Sequence, residues 1–285
     1  MESIKLSILI PTYNFKSGIN EILDCLESIE DDYRKFIEII ISDDSDHEII
    51  KKNRNESLKK SFKNYIYKHN IEKSGAINNW NKLITKANGD YIWLLHHDES
   101  WQKEKNIIRY IFEVINIQQP NILILPITIL KNIKIKNFNM LITNKHITFK
   151  KIIRHYINHP KFLLKTNIIG PPSSLIYKKN ELLYYEKLKY LVDVEFYIRL
   201  FKFFNYKKIF IGLDYYDLLS SQNNSHSITK ILRKEIRSIK NKEKFLVLGR
   251  YSYKFNFYEN IFSFYNFLIL KIYSLITTKI KINKL

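Results

Sequence analysis

One cysteine, Cys25, stands in a chain of 285 residues, so no disulfide can form within it and a reducing compartment suits it. Alanine occurs only at Ala76 and Ala87, whereas Ile, Lys, Asn, Tyr and Phe are abundant. An AT-rich coding sequence produces that bias, and it raises lysine without any functional demand. The net charge of +19 is therefore no sufficient sign of a nucleic-acid partner. The six glycines are dispersed. After the first apolar run the chain reads PTYNFKSG, with Gly18 alone, which excludes the clustered glycines of a P-loop or a dinucleotide-binding turn. A basic leader is missing too, because Met1-Glu2-Ser3 runs directly into LSILI; the expected location is the cytoplasm.

What is present is an ordinary globular share of hydrophobic residues, 45%, arranged as alternating strands and helices. Leu6 to Ile10 is an apolar strand that Pro11 should close, since proline cannot donate to a ladder. Ser17 is placed to cap a helix whose Ile19, Ile22, Leu23, Leu26 and Ile29 follow helical spacing. Phe36 to Ile41 and Tyr65 to Tyr67 read as strands, and Ser74 to Ala87 as a helix stopped by Asn88-Gly89. Tyr91 to Leu95 is a strand, residues 103–117 a helix, and Ile122 to Leu125 a further apolar run. This alternation predicts parallel βαβ units and a sheet covered on both faces, with a site at the carboxyl edge. Pro11-Thr12, Asp43-Asp44 and His97-Asp98 all follow strands and should meet there.

Beyond residue 126 the pattern loosens. Residues 130–165 have no clear period and leave room for helices carrying an acceptor surface. A Gly-Pro-Pro turn precedes a strand from Ser174 to Tyr177, and Val192 to Lys202 is helical with Asp193 at its start. A carboxylate there is favoured by the helix dipole. The segment from Phe257 to Ile276 is apolar and aromatic, with Glu259, Ser263, Asn266, Lys271 and Ser274 forming a narrow polar stripe. Lys271 and that stripe argue against a clean membrane span. With Lys254 before it and Lys279, Lys281 and Lys284 after it, the segment reads either as an amphipathic helix on an anionic membrane surface or as a helix packed on the protein.

The most informative stretch is GDYIWLLHHDES, where a buried strand delivers His96, His97, Asp98 and Glu99 in succession. Imidazole and carboxylate groups suit a divalent cation. Asp43 and Asp44 can accept from a base or ribose, and Asp98 can hold Mg2+ or Mn2+ against a diphosphate.

Together LSILIPTYN, IEIIISDDS, NGDYIWLLHHDE and VDVEFYIRL resemble, in order, the motifs of the family 2 glycosyltransferases of GT-A fold, over roughly residues 4–230. The resemblance implies a Rossmann-like, mostly parallel α/β sheet flanked by helices, in one domain of residues 1–230. Residues 1–126 would be its nucleotide-binding half, 127–230 its acceptor-side half, and 231–285 a basic, partly amphipathic helical extension. It implies transfer of a sugar, with inversion, from a nucleotide-diphosphate donor to a hydroxyl of a glycan or lipid-linked acceptor in bacterial surface-glycan synthesis. Location would be cytoplasmic, with peripheral association on the inner face of the plasma membrane.

By the same resemblance Pro11, Thr12, Tyr13, Asp43, Asp44, His96 and His97 line the nucleotide site. Asp98 matches the metal-binding carboxylate, with Mn2+ or Mg2+ as cofactor, and Asp193 matches the catalytic base. The chain departs from the family pattern at His96, where the first acid normally stands, and at Val192, where a Glu normally precedes the base. Glu195 is an alternate base but points elsewhere along the helix. Trp101, Pro172, Ser173, Arg199 and His226 are candidate acceptor or diphosphate contacts, Trp101 as an exposed sugar-stacking face. Trp80 and Trp93 read as core aromatics. Two rival classes share these features: a metal-dependent nucleotidyltransferase, and a non-catalytic basic module binding membrane or nucleic acid.

Overall fold

The computed structural model describes residues 3–135, 138–146, 150–213, 215–221, 236–252, 268 and 279–284. Its strands are β1 (Leu6–Thr12), β2 (Ile37–Asp43), β3 (Asn64–His69), β4 (Tyr91–Leu94), β5 (Glu99–Trp101), β6 (Ile122–Ile124), β7 (Ile127–Ile135), β8 (Phe138–His146), β9 (Leu175–Lys178), β10 (Ile209–Ile211), β11 (Leu218–Ser221) and β12 (Lys279–Lys284). Its helices are α1 (Lys16–Glu27), α2 (Asp31–Arg34), α3 (Lys52–Ser61), α4 (Ala76–Lys86), α5 (Ile107–Gln118), α6 (Lys150–Asn158), α7 (Val192–Phe203) and α8 (Ile236–Arg250).

Seven strands form the main sheet in the order β10-β6-β9-β4-β1-β2-β3. All its neighbours pair in parallel except β9, which runs antiparallel to both β4 and β6. Side chains alternate across a strand, so β1 feeds two cores. Leu6, Ile8 and Ile10 join residues of α1 and α5 on one face. Leu9 joins residues of α4, α6 and α7 on the other. A second sheet, β12-β8-β7-β11-β5, lies beyond the carboxyl edge of β4 in the chain path, since β5 begins directly after Asp98. The expected α/β architecture is present.

Several local expectations need correction. β1 continues through Pro11 and Thr12, which pair with Ser42 and Asp43 of β2. The carbonyl of Leu9 accepts from Leu95 and that of Thr12 from Asp44, so the missing Pro11 donor falls on the β4 side, where β4 has already ended. α1 begins at Lys16 with Phe15 at its N-cap and no side-chain cap, so Ser17 lies inside the helix. β7 and β8 pair antiparallel ahead of α6. The C-terminal extension is not helical throughout, because β12 pairs antiparallel with β8. The expected amphipathic segment from Phe257 to Ile276 falls outside the described residues apart from Leu268. Among the described residues no helix is long and apolar enough to cross a membrane.

One buried network fixes the strand ends opposite the site. Glu38, 3% exposed, accepts from Ser7 Oγ at 2.6 Å and from Asn88 N and Nδ2 at 2.8 and 2.7 Å. Gly89 N donates to Ser7 Oγ at 2.8 Å, and a Cβ at Gly89 would lie 2.7 Å from Ser7 N, so only glycine permits this approach.

Candidate active site

At the carboxyl ends of β1, β2 and β4 a cleft of about 940 Å³ opens between the sheet edge and the loops leading into α7. Pro11, Thr12, Tyr13, Asp44, His96, His97, Asp98, Pro172 and Asp193 all line it. The edge is held by bonds between neighbouring loops. Asn14 takes a left-handed φ of 47° and donates N–H to Ser45 Oγ at 2.8 Å, while its Nδ2 donates to Asp46 at 2.7 Å. A ring nitrogen of His97 lies 3.3 Å from the Pro11 carbonyl, tying the segment after β4 to the end of β1. Tyr13, 37% exposed, sits at the mouth with Lys73 Nζ 5.3 Å from its ring centroid.

The two aspartates after β2 part ways. Asp43 is fully buried, accepts from Ser45 N, Ile49 N and Tyr67 OH, and does not line the cleft. β2 runs two residues farther than Ile41, so strand alternation turns the Asp43 carboxylate inward and makes it a loop brace. Asp44 faces the cleft. Its Oδ1 accepts from Asn70 Nδ2 at 2.7 Å and its Oδ2 from the N–H groups of Ser74 and Gly75 at 3.1 and 3.0 Å. A carboxylate offers about four lone-pair sites, so Asp44 keeps capacity for a ligand donor.

Past β4, ligand-competent atoms of His96, Asp98 and Glu99 lie within 4.8 Å of one another. The His96 ring is part-buried and packs at a tilt against Trp80, ring centroids 4.7 Å apart, and its Nε2 is cut off from solvent with no protein partner. Desolvation, aided by neighbouring His97, holds its pKa down to about 3, so the imidazole is neutral and available as a ligand. Burial raises Asp98 despite the opposing charge of His97; burial and then Asp98 raise Glu99 well above its ordinary value. An orphaned imidazole nitrogen beside two carboxylates fits a divalent cation, which would displace their protons. Sequence reasoning left Asp98 as the sole ligand, because spacing alone cannot show that Glu99 turns back toward His96. Thr12 Oγ1 and Asn79 Oδ1 are likewise buried without a protein partner, and both residues line the cleft.

Asp193, also lining the cleft, occupies the second position of α7. Burial raises its pKa to about 6, opposed by the N–H groups of Val194 and of Asp193 itself and by Asn167. Asn167 Nδ2 donates to Asp193 Oδ2 and to the Gly170 carbonyl, both at 2.8 Å. A carboxylate poised there is ionised at neutral pH yet basic enough to take a proton. Asn167 was invisible to sequence reasoning, since 26 positions separate it from Asp193 and no motif links them.

Other candidates lie elsewhere. Trp101 is 5% exposed and stacked on Trp93 at 5.6 Å; β5 pairs with β11 and draws the indole into the core, so it presents no sugar platform. Ser173 is fully buried behind the cleft wall, its carbonyl accepting from Trp93 Nε1 at 2.8 Å. Arg199 does not line the cleft; it pairs with Glu195 at 2.8 Å and donates to the Leu183 carbonyl. Glu195 points away from the cleft, as expected. Trp80, read as core, instead borders the cleft against His96. His226 lies outside the described residues.

Known proteins resemble this chain in sequence and in fold. The amylovoran biosynthesis glycosyltransferase AmsB of Erwinia amylovora is 33% identical over 110 residues, 37% of this chain and 34% of that protein. The abequosyltransferase RfbV of Salmonella typhimurium is 33% identical over 107 residues, 35% of this chain and 29% of that protein. The matched segment thus spans about a third of each relative. Among solved structures, residues 1–349 of S. aureus TarS in complex with UDP-GlcNAc match with a TM-score of 0.58 at 17% identity, over 79% of this chain and 60% of that one. At that identity the likeness is one of fold. The family model described as Glycosyl transferase family 2 matches residues 7–165, more than half the chain. The chain belongs to glycosyl transferase family 2.

Proposed function

We propose that the protein is an inverting glycosyltransferase that moves a sugar from a nucleotide-diphosphate sugar to a hydroxyl of a glycan or lipid-linked acceptor. The observation that carries the reading is a cleft lined by Asp44, His96 and Asp98, with buried Glu99 grouped beside the last two, and by Asp193, its pKa near 6. The Tyr13 ring and Asp44 suit the base and ribose, and the unpartnered Thr12 Oγ1 and Asn79 Oδ1 await donor polar groups. His96, Asp98 and Glu99 would hold Mn2+ or Mg2+, and an imidazole in the set favours Mn2+. Bound there, the cation would offset negative charge on the diphosphate.

Asp193 accepts the acceptor hydroxyl proton as that oxygen bonds to the anomeric carbon. The bond from that carbon to the diphosphate oxygen breaks, and nucleoside diphosphate leaves with the bonding electrons. General-base help of this kind contributes about 10²- to 10⁴-fold. The names of AmsB, for amylovoran biosynthesis, and of RfbV, an abequosyltransferase, support sugar transfer in glycan synthesis. We place the acceptor in bacterial surface-glycan assembly, reached from the cytoplasmic side with peripheral membrane association.

The test is a panel of UDP-, GDP- and dTDP-sugars with Mn2+, scored by nucleoside diphosphate release, on wild type, Asp193→Asn and Asp98→Ala. One donor should be hydrolysed and both variants should lose that turnover. Release of pyrophosphate instead, or equal turnover by all three proteins, would overturn the reading.

A further inference from the structure

The loop that delivers Asp193 is gripped from a distant part of the chain. α7 starts at Val192 with Leu191 at its N-cap, and no side chain caps it locally. Helices begin with N–H groups that need partners. Here Glu243, on α8, supplies them to the preceding turn. Its Oε1 accepts from Lys189 N at 2.6 Å, and its Oε2 accepts from Tyr190 N at 2.9 Å and Leu191 N at 2.8 Å. Glu243 is 8% exposed, so these are sheltered, charge-assisted bonds.

A second grip runs the other way. Glu195, fully buried on α7, receives Tyr251 OH at 2.7 Å and Arg250 Nη1 at 3.2 Å from the end of α8. Asp193 lies between the two clamped points, two residues after Leu191 and two before Glu195. α8 also brings Lys240 to the cleft wall beside Tyr190.

We infer that Glu243 is a positioning residue for Asp193: its carboxylate fixes the backbone of residues 189–191 and thereby aims the first turn of α7 into the cleft. The inference rests on the reading of Asp193 as the base. It gives Glu243, on a helix beyond the segment matched by the family model, a part in catalysis from outside the cleft lining. Misplacing a reacting group by about 1 Å can cost about 100-fold in rate, so loosening this turn should act on turnover.

The experiment compares Glu243→Gln, Glu243→Ala and Asp193→Asn with wild type, using the nucleotide sugar hydrolysed fastest in the panel above. Gln keeps one acceptor oxygen and Ala none. In the folded Ala variant kcat should fall about ten- to a hundred-fold with the donor KM unchanged, and the Gln variant should fall between. Amide exchange in the wild type should show Lys189, Tyr190 and Leu191 protected by at least about ten-fold relative to unstructured chain. Unchanged kcat in Glu243→Ala, beside an inactive Asp193→Asn, would overturn the positioning role alone. Full activity of Asp193→Asn would overturn the base reading, and the positioning role with it. Should neither Glu243 variant fold, unprotected amides at residues 189–191 in the wild type would refute the clamp and protected ones support it.

Discussion

Replacing Asn167 by alanine should move the acid limb of the pH–rate profile upward. Asn167 donates to Asp193 Oδ2 at 2.8 Å and is one of the influences that lower a pKa otherwise raised by burial. A hydrogen bond to a charged group contributes about 1.5–3 kcal/mol. Asn167 shares its amide with the Gly170 carbonyl, and water can enter the vacated space, so the lower end applies. At 1.36 kcal/mol per pKa unit, the loss amounts to about one unit. The base must be ionised to act, so activity rises with pH through its pKa, and the limb should shift from about 6 to about 7. At pH 6 the ionised fraction then drops from about a half to about a tenth, a roughly five-fold loss that fades by about pH 8.5. The assay is nucleoside diphosphate release across pH 5–9 (a range of about four units) at saturating Mn2+. A uniform loss at every pH would mean that Asn167 only braces the Gly170 loop. A limb that stays put or moves down would refute the reasoning.

Three further outcomes follow from the same geometry. Asp193→Asn should stabilise the protein while abolishing turnover. The folded pKa of about 6 lies above the usual aspartate value of about 3.9, so the ionised group disfavours the fold above pH 6, and that penalty vanishes as pH falls below the unfolded value. After discounting for partial exposure the gain is about 1–2 kcal/mol, visible as a higher melting temperature at pH 8 but not at pH 3.5. Gly18→Ala should lower activity about ten-fold or more, because a Cβ there would overlap the His97 carbonyl and push the His96–Asp98 segment; a weakened Mn2+-induced thermal shift would check the cause. Trp101→Ala should cost about 3–5 kcal/mol in urea denaturation, with transfer by the surviving folded enzyme unchanged, because its ring lies in the core against Trp93.

The sheet and its edge were legible because mainly apolar runs of five or six residues mark β1, β2 and β4, and each is followed by polar residues. Local pattern could place Pro11, Thr12, Asp44 and Asp98 on one edge. It could not settle which face a carboxylate takes where a strand outlasts its apolar run, as β2 does through Asp43. Nor could it see pairings across long separations. Trp101 left the surface because β5 pairs with β11, where Leu218 lies opposite it. Asn167 and Glu243 meet the Asp193 segment only in the fold, 26 and 52 to 54 positions away.

On the proposed reading, the acids of this cleft have to admit an anionic donor. Asp44, Asp98 and Asp193 line the walls, with Glu99 behind Asp98, and four bare carboxylates would repel a diphosphate. Each is tempered differently. Asp44 already accepts three donors, two of them backbone N–H groups at the start of α4. Burial raises Asp98 against the opposing charge of His97, and burial and then Asp98 raise Glu99, so a bound cation would favour the charged forms that burial disfavours. Asp193 is raised by burial but pulled back by its N–H groups and Asn167. A pKa near 6 leaves it ionised at neutral pH yet basic enough to accept a proton, which is the condition a general base needs. Placing the cation-competent group after β4 and the base at the start of α7 keeps the charge that receives a proton apart from the charge that faces the leaving group.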